Sequence, residues 1–77
     1  LLFPNPAGDR ITLRMPEADH SFCTLNIVDL TGKIILKLDF QNEGDIPVDL
    51  TGIAGGQYFY AISTTKAHYN GTITILP

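Results

Sequence analysis

His20, Cys23 and His68 are the soft metal ligands of the chain, and a cysteine with a histidine is the pair from which a thiolate nucleophile is built. A zinc site needs three or four groups converging on one point. Cys23 alternates with Leu25 and Ile27, so a strand turns all three to one apolar face, and burial of the thiol is the simpler reading. His20 falls in a polar connection, and nothing around it supplies a pocket for catalysis. The carboxylates Asp29, Asp39, Asp45 and Asp49 do not follow the spacing of a calcium loop, and turn capping and solvated faces account for most of them. Asn70, Gly71 and Thr72 match a glycosylation acceptor, yet a glycine there is better read as a turn or bulge ahead of a last strand. Tyr58, Tyr60 and Tyr69 could stack on a sugar ring, but aromatics at period two in a small sandwich more commonly fill its core. No catalytic residue, metal ligand set or cofactor site is expected.

The elements that position these residues are short. Seventy-seven residues make one small domain, with too little core to house a deep active site. The chain starts at Leu1 and opens directly into a strand-like run, so a segment of a longer polypeptide is expected. No apolar run approaches the roughly 20 residues of a membrane helix. Five Lys and Arg stand against eight carboxylates, and the bases (Arg10, Arg14, Lys33, Lys37, Lys66) are scattered. Nucleic acid is thereby a poor partner, since phosphate binding needs a concentrated basic surface. Cys23 is alone, so the fold rests on packing and not on an internal disulfide.

The strongest local signal runs from Ile46 to Ile62, where two apolar, β-prone runs flank a segment holding Gly52, Gly55 and Gly56. The glycines are assigned to a turn, and Leu50, Tyr58 and Ile62 to the core. Tyr58, Tyr60 and Ile62 share one face at period two, against Phe59, Ala61 and Ser63 on the other, which marks a central strand. Before it, Pro4 and Pro6 stiffen a bend at Pro4–Asp9, and Ile11 and Leu13 alternate with Arg10, Thr12 and Arg14. Asp29, Leu30, Thr31, Gly32 and Lys33 join two strand-like runs as a hairpin turn, Gly32 supplying positive φ and Asp29 accepting backbone N–H bonds. Beyond that turn Ile34, Leu36, Leu38 and Phe40 are placed on one face. No helical period is sustained, and about seven short strands at close spacing give an all-β antiparallel sandwich.

Three of these patterns, in this order, resemble one family. Phe3, Pro4, Asn5, Pro6, Ala7 and Asp9 with the Ile11/Leu13 alternation are similar to its opening motif. Leu25, Ile27, Asp29, Thr31, Gly32, Lys33 and Ile35 are similar to its middle one, and Val48, Asp49, Leu50 through Gly52, Gly56, Tyr58, Phe59 and Ile62 to its third. The family is the C-terminal sorting domain of the type IX secretion system, type A, also called the Por secretion tail. The resemblance implies an immunoglobulin-like β-sandwich without catalytic activity, carried by a protein that passes through the periplasm to the surface or exterior of a Gram-negative bacterium. It implies an outer-membrane translocon and a surface sortase as protein partners, a covalently linked N-terminal cargo, and a domain that is itself monomeric. It places the candidate recognition residues on two turns: Pro4, Asn5, Pro6 and Asp9, then Asp29, Gly32 and Lys33. A second class of function compatible with the residues is a fibronectin-like or immunoglobulin-like accessory module that spaces domains or binds carbohydrate on a secreted hydrolase.

Overall fold

The computed structural model describes residues 1–15 and 21–77; the connection 16–20, where His20 lies, is outside the described residues. Period-two alternation becomes seven strands: β1 (Leu2–Phe3), β2 (Arg10–Leu13), β3 (Phe22–Val28), β4 (Ile34–Gln41), β5 (Ile46–Asp49), β6 (Gly56–Ser63) and β7 (His68–Ile75). They build two sheets, one in the order β1-β2-β5 and one in the order β4-β3-β6-β7, all ladders antiparallel. The sheets stack as an immunoglobulin-like β-sandwich.

Each strand turns one face to the space between the sheets. Ile11 and Leu13 of β2 and Val48 of β5 meet Leu25 and Ile27 of β3, Tyr58 and Ile62 of β6, and Ile73 and Ile75 of β7, all of them buried. Each fully buried aliphatic side chain contributes about 2 kcal/mol in area terms, so this interior carries the domain. The strand β6 pairs with β3 on one side and β7 on the other, which gives it the central place its sequence indicates.

Two expectations are corrected by the register. Leu36 pairs with Ile27, but Val28 pairs with Ile34, so a bulge takes up Ile35 and inverts the alternation. Ile34 therefore joins Val28 on the outer face, 55% exposed, and only Leu36, Leu38 and Phe40 face inward. The last strand also starts earlier than its glycine suggests. Asn70 to Thr72 lie inside β7, with Gly71 opposite Tyr60. A Cβ at Gly71 would come within 2.8 Å of the Tyr60 hydroxyl, so the ring lies across the glycine and would have to move for any side chain there. Close approach, and not a turn, is the reason for glycine at this position.

Candidate functional site

The three sequence motifs converge at one end of the sandwich, reached by the C-terminal ends of β3, β5 and β7 and the N-terminal ends of β2, β4 and β6. Leu50 N–H donates to the Asp9 carbonyl at 2.7 Å, tying the third motif to the end of the first. The Asp29–Lys33 turn sits above β3 beside the start of β6, where Val28 faces Phe59. The end of the chain is there as well, since Leu76 N–H donates to the Ala7 carbonyl at 2.7 Å and Pro77 lies against Gly55. Leu1 is at the other end, its carbonyl accepting Arg14 N–H at 2.7 Å.

The first motif closes an edge. Both Phe3–Pro4 and Asn5–Pro6 are cis. The Asn5 side chain donates through Nδ2 to the Thr72 carbonyl at 3.2 Å and accepts the Thr74 N–H at Oδ1 at 3.1 Å. A carboxamide offers the same donor and acceptor as a peptide group, so Asn5 occupies the place of a strand residue beside β7. Ala7 continues the pairing, donating to the Thr74 carbonyl at 2.8 Å in a parallel bridge with Ile75, and is wholly buried. Pro4 and Pro6 bring no N–H that would be left unpaired at the rim. Pro4, Pro6 and Asp9 are exposed, and Asn5, although on the surface, is held by both ends of its amide. Asn5→Ala should cost about 1 to 2 kcal/mol from two lost hydrogen bonds, read as a lower urea midpoint at unchanged slope.

The second motif is organised by one carboxylate. Asp29 Oδ1 accepts the Thr31 N–H at 2.9 Å, the Thr31 hydroxyl at 2.6 Å and the Lys33 N–H at 3.0 Å, while Gly32 takes φ of 91°. These bonds hold the Asp29 carboxyl below its ordinary range, the Thr31 hydroxyl being the largest cause. Asp49 is lowered chiefly by its bond from Thr51, and Asp45 chiefly by its side-chain bonds from Arg14, whose Nε and Nη2 both lie at 2.7 Å. A carboxyl with a depressed folded pKa stabilises the fold above its unfolded value near 3.8 and loses that contribution as pH falls through the folded one. Thermal stability should therefore hold down to about pH 4 and decline below it. Asp29→Asn should be less stable at neutral pH and should narrow the gap between melting temperatures at neutral and acid pH.

The third motif packs the turn onto the core. Gly52 has φ of 87° and Gly56 153°, conformations that favour glycine. Gly55 answers a different need, because a Cβ there would lie 2.7 Å from the Pro77 backbone. Tyr58 is buried and its hydroxyl donates to the Ala54 carbonyl at 2.6 Å, closing the turn over its own ring. Leu50 and Ile62 are buried as well.

Around the Asp29–Lys33 turn the outer face is apolar. Leu30 is 65% exposed and Phe59 45%, and the bulge adds Ile34 to the same row as Val28 and Phe59. Nothing in the sequence pattern indicates this patch, because it needs both the bulge and the β3–β6 register.

The other residues singled out for chemistry are placed differently. Cys23 is buried and its thiol bonds to the Ser21 carbonyl at 3.6 Å. Among the described residues no three His, Cys or carboxylate groups converge as a metal site. His68 Nδ1 lies 3.1 Å from the Ser63 hydroxyl on the outer face, and Asp39, which accepts from Thr24 at 2.8 Å, stands three strands away from His68 in the order β4-β3-β6-β7. Tyr58 is part of the core, and Tyr60 and Tyr69, both half-buried, pack against it. Among the described residues no helix is long and apolar enough to cross a membrane.

The family model described as the secretion system C-terminal sorting domain matches residues 1–76. A DUF3244 family protein from Bacteroides vulgatus, solved as an immunoglobulin-like β-sandwich, is similar with a TM-score of 0.77 and 21% identity, covering 95% of this chain and 79% of that one. At that identity the likeness speaks for the fold. No curated protein matches the chain.

Proposed function

Because the chain belongs to the secretion system C-terminal sorting domain family, we propose that it is a non-catalytic signal domain that directs a covalently attached parent protein across the outer membrane by the type IX secretion system. The observation that carries this reading is the gathering of all three motifs at one end of the sandwich, beside exposed Leu30, Ile34 and Phe59. Exposed apolar groups set among turns are what a protein partner recognises on a folded surface. Leu1 lies at the opposite end of the sandwich from that surface. The secretion translocon reads this end, a surface sortase then cuts the chain before Leu1, and the parent is released or anchored on the outside of a Gram-negative cell.

The test is a fusion of the 77-residue chain behind a periplasmic reporter in a type IX-competent strain. The reporter should reach the cell exterior. Leu30→Ser with Phe59→Ser should leave the melting temperature within a few degrees, as surface changes do, and hold the reporter in the periplasm. A wild-type fusion that stays inside the cell with its domain folded would overturn the reading.

A further inference from the structure

We propose that the outer edge of β4 pairs with β4 of a second copy of this chain, antiparallel and centred on Leu38. The sandwich treats its edges unequally. The C-terminal half of the outer edge of β7 is sealed by Asn5 and Ala7, and its other half carries Gly71. β1 has two residues, and β5 carries Pro47, which has no N–H to offer. β4 is eight residues long, without proline or glycine, and ends the four-stranded sheet. Among the described residues nothing pairs with the outer edge of β4 over residues 34–40, and an edge of that length is a template for another strand.

The parity of the β3–β4 ladder says which groups are available. Asn42 N–H donates to the Ser21 carbonyl, and pairs two residues apart repeat that orientation, so Leu36, Leu38 and Phe40 direct their backbone groups to β3. Lys37 and Asp39 consequently direct theirs outward. In an antiparallel pair centred on Leu38, Lys37 of each copy stands opposite Asp39 of the other and exchanges both backbone bonds with it.

Charge selects this register. Centring one residue earlier sets Lys37 against Lys37, and one residue later sets Asp39 against Asp39, both of which repel. Centring on Leu38 makes two opposite-charge pairs on the outer face. Asp39 Oδ1 already accepts the Thr24 hydroxyl, leaving Oδ2 for the second copy's lysine. On the inner face the same register places Leu38 against Leu38 and Phe40 against Leu36. Beside Leu36 and Leu38 a groove of about 300 Å³ opens between β4 and β5, lined also by Pro47 and Val48. Phe40 of the second copy is brought to the mouth of that groove, so pairing extends the apolar interior across the two-fold axis. Charged residues usually guard an edge. Here a lysine and an aspartate two apart make the guard complementary to itself, which departs from the monomer that the family resemblance implies.

Sedimentation velocity of the 77-residue chain over a range of concentrations tests the pairing. The wild type should move from monomer toward dimer as concentration rises, less so at high salt. Lys37→Asp and Asp39→Lys, tested separately, each replace both attractive pairs by repulsive ones and should weaken association about tenfold or more. An equimolar mixture of the two variants, like the double exchange in one chain, recreates two attractive pairs and should regain wild-type association. The mixture guards against misreading a folding defect, and circular dichroism of each variant checks its fold. A wild type that stays monomeric at all concentrations, or single variants that associate as the wild type does, would overturn the proposal.

Discussion

Tyr58→Ala should destabilise the domain by about 3 kcal/mol or more, the cost of truncating a large aromatic in a core. The side chain points inward from the strand that pairs on both sides, opposite Ile73, and is only 8% exposed. Its removal leaves a cavity between the sheets and leaves the Ala54 carbonyl without its 2.6 Å donor. A domain of this size has little stability to lose, so the variant should be largely unfolded near physiological temperature. Tyr58→Phe separates the two contributions, since it keeps the ring and loses one hydrogen bond, at a cost of about 1 kcal/mol. Urea titration followed by circular dichroism reads both. An unchanged midpoint for Tyr58→Ala would mean that the ring does not hold the sheets together.

The prominence of Tyr58 is legible in the chain itself because alternation is a local property. Tyr58, Tyr60 and Ile62 share a face by spacing alone, and so do Cys23, Leu25 and Ile27. The turn at Asp29–Lys33 is legible for the same reason: an aspartate two residues before a threonine and three before a glycine caps its own backbone. What depends on pairing is not legible. The bulge at Ile35 adds a residue to one strand without marking it chemically, so Ile34 reads by spacing as an inward residue. Gly71 reads as a turn because its reason, the ring of Tyr60, lies across a ladder. Asn5 reads as part of a bend, and its amide becomes a surrogate strand only with β7 beside it. The candidate site shares this limit. Its three motifs are far apart in the chain, and only the topology brings their turns to one end, with Phe59 and Ile34 in one row through the β3–β6 and β3–β4 registers.

Leu50→Ala should cost about 2 to 5 kcal/mol, as for buried leucines elsewhere, and it addresses how that shared end is held together. Leu50 follows β5 directly and is only 2% exposed. Its N–H reaches Asp9 and its carbonyl accepts the Ile53 N–H at 3.0 Å, so its side chain anchors the backbone that joins the first motif to the third. Alanine keeps both backbone bonds possible and removes the anchor, so the loss is expected first as faster amide exchange at Leu50 and Ile53 and then as a lower melting temperature, by roughly 5 °C per kcal/mol for a domain of this length. In a reporter fusion Leu50→Ala should lose export together with folding, whereas Leu30→Ser with Phe59→Ser should lose export with folding intact. Export retained by an unfolded Leu50→Ala fusion would show that the machinery reads a linear sequence; export lost only with the fold would leave the outer apolar row without a role in recognition. The two variants act on the same end of the sandwich, one from inside and one from outside, and their difference isolates what a partner touches from what merely shapes it.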